Sequence, residues 1–290
     1  MTSKSEAGQK YILKASCKAG RGIVAGVTSY LSECGCYISE LSQFDDQDSG
    51  QFFMRACFHV EAGVADADKL RSGFVAVAER FAMDWQLFDA SAPTRTLIMV
   101  SKADHCLDDL LYRMHKGELN MEVTAVVSNH QDLRAMVERE GIRFVHLPVS
   151  KDNKAEQEAR LLEIVKETNT DLVILARYMQ ILSDSLCRQL QGRAINIHHS
   201  FLPGFKGARP YYQAYDRGVK LIGATAHYVT SDLDEGPIIE QSVQAVDHTY
   251  GPERLTAVGR DTETMALAMA VKRHTEHRVF VDGNKTVVFK

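Results

Sequence analysis

The sequence predicts an α/β protein of two domains, and three observations carry that prediction. Its 290 residues are more than one typical domain needs. Up to residue 88, apolar patterns predict strands and helices in the order β-α-β-β-α-β, which is the ferredoxin-like arrangement. Beyond residue 94, strand and helix patterns alternate, which predicts an open, mostly parallel, Rossmann-like sheet with right-handed crossovers. We therefore expect a first domain at residues 8–88, a linker at 89–94 and a second domain at 95–290.

In the first domain, the spacing of apolar residues predicts two helices and four strands. Val24, Val27 and Leu31 fall on one helix face, and Gly35 suits the end of that helix. The acidic turn at 45–50 separates two strands. The second helix has its apolar face at Leu70, Phe74, Val77 and Phe81. The predicted strands are 11–16, 37–44, 52–60 and 85–88.

The second domain is predicted to alternate strands with helices. Its predicted strands are 96–101, 123–128, 144–147, 171–176, a short strand within 193–203, 221–229 and 238–246, followed by a hairpin at 279–289. Its predicted helices are 107–114, 131–140, 153–168, 183–190, 210–217 and one that starts near Pro252. The last helix has its expected apolar stripe at Leu255, Val258, Met265 and Met269. Ligands of such sheets bind beyond the carboxyl ends of the strands.

Composition and charge exclude several classes of function. Hydrophobic residues make up 45% and charged residues 25%, which is ordinary for a soluble globular protein. A formal net charge of −4 provides no basic field for nucleic acid or for an anionic membrane surface. The six cysteines have no zinc-ligand or redox spacing and no disulfide framework, so we expect the protein to lie in a reducing cytoplasm. Neither a signal peptide nor an apolar run of membrane-spanning length is visible.

Two polar side chains mark the end of the strand that leads into Pro203. Asn196 and His198 are two residues apart, so on a strand they face the same side, while His199 is expected to point away. An amide and an imidazole that point together suit a carbonyl under attack, which needs a donor for the developing oxyanion and a group that manages protons. The alternative is that both are hydrogen-bonded polar groups of the core.

The turn at 231–237 supplies a carboxylate. Asp234 stands just before Gly236 and Pro237, which enforce a sharp bend. An Asp beside a His can hold the tautomer of the imidazole and stabilise its charged form. Asp is also an ordinary residue of tight turns, so a purely structural role is the alternative.

Three motifs surround these residues. They are Asn-Ile-His with Ser-Phe-Leu-Pro at 196–203, Gly-Ala-Thr-Ala-His-Tyr-Val at 223–229 and Asp-Leu-Asp-Glu-Gly-Pro at 232–237. In this order they resemble the formyltransferases that use 10-formyltetrahydrofolate, over residues from about 95 to the end. The spacing from Asn196 to Asp234 is similar to that of the glycinamide ribonucleotide formyltransferases. The resemblance implies that Asn196, His198 and Asp234 are the catalytic residues.

The first domain is similar to an ACT domain, a small regulatory module with the order β-α-β-β-α-β. ACT domains often pair into larger sheets, so the resemblance implies a homo-oligomer. Some bind amino acids at a Pro-Asp-x-x-Gly turn after the first strand. Lys18 and Ala19 occupy the Pro and Asp positions here, which favours oligomerisation over an amino-acid effector.

An ACT domain joined to a formyltransferase core is similar to the branch of the family that hydrolyses 10-formyltetrahydrofolate to tetrahydrofolate and formate. That resemblance implies a supply of formate for purine synthesis and a balance of one-carbon pools. The catalytic trio alone leaves two other functions open, because transfer and hydrolysis share a tetrahedral intermediate. These are a formyltransferase that acts on an amine acceptor and a non-catalytic sensor of folate or amino acids.

The segment 101–109 bears on the choice between water and an amine. Glycinamide ribonucleotide formyltransferases hold the substrate phosphate in a Gly/Asn/Ser loop at this point, which needs close backbone approach. Here the segment has no glycine, and its aspartates at 104, 108 and 109 would repel phosphate. It therefore favours water as the nucleophile, although Lys102 remains a candidate anion ligand.

The resemblance further implies a folate cleft, in which backbone groups after the strand 171–176 read the pterin and the turn 231–234 closes the other side. A core-packing or structural role is the alternative. The expected substrate-binding residues are Met179, Gln180, Ile181, Leu182, His227 and Asp232. Lys206 and Arg209 are candidates for the glutamate tail or for a solvated loop. We expect no metal and no cofactor, since the folate is the substrate and the histidines lack a metal-binding signature.

Overall fold

The structure, a computed structural model, describes residues 8–60, 66–204 and 210–290 and confirms the predicted α/β class. The chain forms two compact units. Unit 1 contains the described residues up to Ala92 together with Glu276–Phe280 and Val287–Lys290. Unit 2 contains the described residues of Pro93–Thr275 together with Val281–Thr286.

Unit 1 has an antiparallel sheet in the strand order β2-β3-β1-β4. Its elements are β1 (Gln9–Lys18), α1 (Ile23–Glu33), β2 (Cys36–Asp46), β3 (Gln51–Val60), α2 (Ala67–Phe81) and β4 (Asp84–Asp89). Val27, Leu31, Leu70 and Phe74 are buried in its core, which confirms the predicted helix faces. The side chain of Asp66 caps α2 by accepting from the Lys69 amide at 2.8 Å.

The last residues of the chain belong in part to unit 1. The buried side chain of Arg55 on β3 pairs with Glu40 on β2 at 2.9 Å and donates to the backbone oxygen of Glu276 at 3.1 Å. Arg278 pairs with the same Glu40 at 2.8 Å. The predicted second domain, 95–290, therefore differs from the structure at its end, because these charged contacts tie the C-terminal residues to the first sheet.

Unit 2 alternates strands and helices as predicted. Its elements are β5 (Thr94–Val100), α3 (His105–His115), β6 (Met121–Ser128), α4 (Arg134–Arg139), β7 (Phe144–His146), α5 (Lys154–Glu167), β8 (Leu172–Leu175), α6 (Asp184–Gln189), β9 (Ala194–His198), α7 (Pro210–Arg217), β10 (Leu221–Tyr228), β11 (Ile238–Ala245) and α8 (Pro252–Thr275). A hairpin follows, with β12 (Val279–Asp282) and β13 (Lys285–Val288). Gly283 lies in its turn with φ +58°, which confirms the predicted turn.

The described strands of unit 2 form a sheet in the order β11-β10-β9-β8-β5-β6-β7. Strands β5 to β9 are parallel to one another, whereas β10 is antiparallel to both β9 and β11. Every residue of β8 is buried, as expected for a central parallel strand. The carboxyl ends of β5, β8 and β9 therefore lie side by side, and the residues that follow them meet at one edge of the sheet.

Helix α8 packs on β10, β11 and β9 through a face that differs from the predicted one. Leu255 is buried as predicted, but Met265 is 48% exposed. The prediction for Met265 is wrong because small residues contribute much of the contact face and let the helix lie close to the sheet. The buried residues in the middle of the helix include Gly259, Ala266, Leu267, Ala270 and Val271. Among the described helices, none has the length and apolarity to cross a bilayer; the cytoplasmic location stays a prediction.

Candidate active site

The carboxyl end of β9 presents the two side chains that the sequence analysis singled out. His198, the last residue of β9, is buried, and Asn196 precedes it by two positions. Thr225 on β10 is the register partner of His198. Its hydroxyl donates to the backbone oxygen of Ser200 and accepts from the amide of Leu202, each at 3.0 Å. The backbone that follows His198 is thus tied to the neighbouring strand.

His227 on β10 lies opposite Asn196 in the antiparallel pair. Its Nδ1 is 2.9 Å from the backbone oxygen of Tyr228, and because a carbonyl oxygen only accepts, Nδ1 carries the proton. In the neutral ring Nε2 then accepts from the Asn196 amide nitrogen at 3.3 Å. That amide nitrogen has a second N–H, so His227 orients the Asn196 side chain without exhausting its donors.

The turn after β10 brings Asp234 to this pair. Asp234 has φ +58°, a left-handed conformation that is costly for a residue other than glycine. Gly236 lies so close to β10 that a Cβ atom on it would be 1.7 Å from the backbone oxygen of Tyr228. The Tyr228 amide also donates to the Pro237 oxygen at 2.9 Å. Backbone contact with β10 therefore holds the turn in place and sustains the strain at Asp234.

Asp234 stands between two imidazoles. Its Oδ1 is 3.2 Å from Nδ1 of His198 and 3.8 Å from Nε2 of His227. Burial by itself would raise the pKa of Asp234, but the hydrogen bond and the charge of His198 outweigh burial and hold the pKa well below its usual range. Asp234 is therefore an ionised carboxylate at neutral pH.

His198 keeps one ring nitrogen without a partner. An ionised carboxylate only accepts, so Nδ1 of His198 donates to Asp234. Nε2 of His198 is buried and has no hydrogen-bond partner among the described residues. Buried polar atoms without partners are uncommon, and one in the wall of a cavity marks a candidate ligand contact.

A cavity of about 790 Å³ opens on these side chains, a volume typical of small-molecule sites. All residues of this cavity belong to unit 2. Every residue that the sequence analysis assigned to the site borders it, although the roles of these residues stay predictions. They are Asn196, His198, Asp234, Met179, Gln180, Ile181, Leu182, His227 and Asp232.

The segment after β8 forms one wall of the cavity. The hydroxyl of Ser101, at the end of β5, accepts from the Met179 amide at 3.0 Å and donates to Asn129 at 2.7 Å. The side chains of Met179 and Ile181 are mostly exposed, which leaves apolar surface for a ligand. Leu182 packs against the core, so the packing alternative describes this residue well.

His199 does not point away from the pair, so that prediction is wrong. Its ring lies 5.1 Å from the ring of His198, centroid to centroid, and borders the same cavity. The alternation of a strand no longer applies, because β9 ends at His198. Burial, followed by the positive charges of Arg177 and His198, lowers the pKa of His199 to about 4, so its ring is neutral at pH 7.

A polar cluster around Glu263, which no sequence pattern predicted, lies in the cavity wall. This carboxylate on α8 is only 1% exposed, and its oxygens accept from Tyr211 at 2.6 Å and contact His105 at 2.8 Å and Arg177 at 3.2 Å. The hydrogen bonds and the Arg177 charge overcome burial and lower the pKa of Glu263. One signal was present: Glu263 is an acidic residue at helical spacing from Gly259, on the face that the small residues of α8 form.

The same cluster contains the group with metal-ligand chemistry found among the described residues. Ligand atoms of His105, Cys106 and Glu263 all lie within 4.8 Å of one another. The guanidinium of Arg177 beside Glu263 opposes a cation, and the hydrogen bonds to the carboxylate favour an ion-pair cluster. The expected absence of a metal and of a cofactor stays a prediction. Lys206 and Arg209, the candidates for the glutamate tail, lie outside the described residues.

Known proteins similar to this chain fall into two groups. The model of the formyl transferase family matches residues 94–271. A formyltetrahydrofolate deformylase of Corynebacterium sp. (strain P-1) is 55% identical over 97% of this chain and 98% of that protein. The crystal structure of the formyltetrahydrofolate deformylase of Burkholderia mallei ATCC 23344 has a TM-score of 0.93 and 53% identity, over 97% of this chain and 100% of that one. Glycinamide ribonucleotide transformylase 1 of Symbiobacterium toebii has a TM-score of 0.64 and 27% identity, over 69% of this chain and 95% of that one.

Proposed function

We propose that this chain, which belongs to the formyltetrahydrofolate deformylase family, hydrolyses 10-formyltetrahydrofolate to tetrahydrofolate and formate. The observation that carries the proposal is the arrangement of His198. Nδ1 of His198 is held by Asp234 at 3.2 Å, while the buried Nε2 in the cavity wall has no partner among the described residues. In the proposed mechanism His198 is protonated and Asp234 stabilises its charge, so Nε2 donates to a formyl oxygen that becomes negatively charged.

Asn196 and His198 form the oxyanion site of the proposed mechanism. One N–H of the Asn196 amide is used by His227 at 3.3 Å, and the other donates to the formyl oxygen together with Nε2 of His198. With His198 in its protonated form, both nitrogens are donors whose positions are fixed before the substrate arrives, so little reorganisation is needed as charge develops. Water attacks the formyl carbon and forms the new C–O bond, which gives the tetrahedral intermediate.

Asp234 is the acid–base partner of the reaction. Its carboxylate stabilises the positive charge on His198 while the oxyanion exists, and it positions the attacking water. When the intermediate collapses, the bond from the formyl carbon to N10 breaks, and the proton that water loses goes to N10. The collapse gives tetrahydrofolate and formic acid, which releases its proton to solvent and leaves as formate, and the residues return to their starting protonation states.

The segment 179–182 and the turn 231–234 are the two walls of the proposed folate cleft. The exposed side chains of Met179 and Ile181 provide apolar contact for the flat pterin, and backbone groups near Gln180 read its polar edge. Asp232 on the opposite turn completes the cleft. The role proposed for His227 is to orient Asn196 beside the bound substrate.

The start of α3 supports water over an amine acceptor. Asp104 precedes the helix and borders the cavity, so it puts a negative charge where an acceptor phosphate would need free N–H groups. Asp109 is paired with Arg113 at 2.8 Å, and Lys102 is not among the residues that border the cavity. The acidic, glycine-free segment offers an anionic acceptor little attraction.

Turnover without an acceptor is the decisive measurement. The protein is incubated with 10-formyltetrahydrofolate and no amine, and tetrahydrofolate and formate are followed. Stoichiometric release of both supports hydrolysis. Turnover only after an amine is added would indicate a formyltransferase, and no turnover in either case would indicate a folate or amino-acid sensor.

Unit 1 is proposed to hold two copies of the chain together through the edge strand β2. This strand carries Tyr37, Leu41 and Phe44 as exposed apolar residues on an edge that is open to pairing. Light scattering after gel filtration should give a smaller particle for Tyr37→Lys/Leu41→Lys than for the wild type. Tyr112→Lys, at an exposed tyrosine of unit 2, is the control, and an unchanged mass in the double variant would contradict the proposed contact.

The wider roles follow from the proposed reaction. Formate released by the enzyme would supply purine synthesis, and removal of 10-formyltetrahydrofolate would balance the one-carbon pools of the cytoplasm. Lys18 and Ala19 stand where an amino-acid-binding turn has Pro and Asp, which supports an oligomerisation role for unit 1 over an effector site.

A further inference from the structure

The Glu263 cluster forms a charged wall next to His198. The His198 ring is 5.1 Å from that of His199, and the His199 ring is 6.5 Å from that of Tyr211. The Tyr211 hydroxyl donates to Glu263 at 2.6 Å. The wall therefore begins on the side of the oxyanion site where His199 lies, and the mechanism proposed above uses none of its members.

The backbone around the cluster is adapted to this arrangement at two positions. A Cβ on Gly259 would be 2.1 Å from the Tyr211 ring, so the ring reaches Glu263 only because residue 259 is glycine. Arg177 has φ +63°, a conformation that favours glycine and costs another residue about 1–2 kcal/mol. Position 177 thus has a long cationic side chain although its backbone conformation favours glycine.

The side chain of Arg177 occupies space at the cavity. It borders the cavity, its Nε is 3.2 Å from Oε2 of Glu263, and that Nε has no hydrogen-bond partner among the described residues. Glu263 already accepts from Tyr211 and contacts His105. The ion pair therefore fixes the position of the guanidinium, although Nε forms no hydrogen bond with the described residues.

We propose that Arg177 is a specificity-determining residue: anchored on Glu263, its side chain fills the part of the cavity from which an amine would approach the formyl carbon. Water still enters, because it is far smaller than an acceptor amine. The fixed charge also disfavours an ammonium group. This inference rests on the proposed hydrolysis and explains why water is the nucleophile.

Removal of the side chain should admit an amine. In the competing reaction the amine nitrogen forms a bond to the formyl carbon, the bond from that carbon to N10 breaks, and the proton lost by the amine goes to N10. Asn196, His198 and Asp234 serve this reaction as they serve hydrolysis, since the tetrahedral intermediates differ only in the attacking atom. The variant Arg177→Gly suits the test, because glycine is at ease at this φ.

The experiment measures how the formyl group divides between water and glycinamide. Wild type, Arg177→Gly and the double variant Arg177→Gly/Glu263→Gln are each incubated with 10-formyltetrahydrofolate and glycinamide at pH 8. Formate and N-formylglycinamide are quantified by mass spectrometry, and the reaction without enzyme is subtracted. The double variant leaves no unpaired buried charge, so it provides a result even if the single variant folds poorly. Arg143→Gly, which removes an exposed arginine 3.4 Å from Glu167, is the matched control.

The expected result is that the ratio of N-formylglycinamide to formate rises about tenfold or more in both Arg177 variants and stays at the wild-type value in the control. A merely structural role for Arg177 would lower both products together and leave the ratio unchanged. If all four proteins release formate and the ratio of N-formylglycinamide to formate is the same in each, the role proposed for Arg177 is overturned. The proposed hydrolysis is not affected by that result. A wild type that releases no formate, or that already formylates glycinamide preferentially, would overturn both this inference and the proposed function.

Discussion

Asp234 and Glu263 border the same cavity, but their carboxylates have different surroundings. Asp234 comes from a turn, faces His198 at 3.2 Å and leaves the far nitrogen of that ring without a partner among the described residues. Glu263 comes from the middle of a helix, and three side chains, those of Tyr211, His105 and Arg177, lie within 3.2 Å of its two oxygens. Both carboxylates have a lowered pKa, and a non-glycine residue with positive φ lies at each place: Asp234 itself and Arg177.

The difference lies in where hydrogen-bonding capacity is left over. At Asp234 an ionised carboxylate orients the ring of His198, and in the protonated ring the other nitrogen can donate to a reacting oxygen. At Glu263 the capacity of the carboxylate is taken up by neighbouring side chains, so this group orders the wall and does not act on a ligand directly. Low pKa, strain and a buried nitrogen without a hydrogen-bond partner among the described residues are thus common to both places. What separates them is that three side chains contact Glu263, whereas Asp234 mainly orients the ring of His198.

The substitution Asp234→Asn should have the largest effect. The amide cannot stabilise positive charge on His198, and it can present an N–H where His198 needs an acceptor, so kcat should fall about 10³-fold or more. Steady-state release of formate measures this, with circular dichroism to verify the fold. Near wild-type turnover by a folded Asp234→Asn protein would refute the assignment of Asp234.

Loss of an oxyanion donor should have the next largest effect. Asn196→Ala removes the N–H proposed for the formyl oxygen, and kcat should fall about 10²–10³-fold while KM changes little. The control is Asn153→Ala, which removes a half-buried amide that does not border the cavity. If the loss appeared in KM instead, Asn196 would bind the substrate and not the transition state.

The substitution Glu263→Gln should act on stability more than on chemistry. It leaves the Arg177 guanidinium without its counter-charge, and because the Arg177 side chain is 17% exposed we expect a loss of about 2–3 kcal/mol of unfolding free energy, below the value for a fully buried pair. Urea unfolding measures it. Glu163→Gln, in an exposed pair with Arg160, should leave the urea midpoint nearly unchanged, because solvent screens the pair. A large fall in kcat in a Glu263→Gln protein whose unfolding free energy is nearly unchanged would mean that Glu263 takes part in the reaction.

The smallest effect concerns His199 and pH. The pKa of His199 is about 4 in the folded protein, and the unfolded value is about 6.5, so the unfolded chain binds the proton more readily. This contribution to stability is complete above pH 6.5 and is lost as the pH falls towards 4, with a loss of about 1–2 kcal/mol between pH 7 and pH 5. His199→Gln should flatten the dependence of Tm on pH over this range. An unchanged dependence would mean that another group titrates there.

The two places also differ in how far sequence could predict them. Asn196 and His198 were predictable because they share a strand, where the period of two fixes their relative direction, and Asp234 was predictable because Gly236 and Pro237 mark its turn. Arg177 and Glu263 meet only through the packing of α8 on the sheet, which no local pattern encodes. The prediction that Met265 is buried was wrong for the same reason. Large apolar residues suggested one contact face of α8, but its small residues determine which face packs on the sheet.

Fold class was the more predictable property. Strand and helix periods repeat along the whole chain, so errors at single residues do not change the order of elements. The ends of elements were less predictable, as at His199, where the strand stops and alternation with it. The membership of Glu276 and Arg278 in unit 1 depends on ion pairs and hydrogen bonds with distant Glu40 and Arg55, and distance along the chain hides such contacts.

That membership has a consequence for the order of events during synthesis. Arg55 is made early, but the backbone oxygen that accepts from its Nε belongs to Glu276. Translation at about 5–20 residues per second needs roughly 10–40 s to pass from the end of β4 to that residue. A first sheet that forms within this interval lacks one acceptor for the Arg55 guanidinium and lacks the Arg278 partner of Glu40. The strands β1 to β4 are thus made well before the residues that complete the contacts of unit 1.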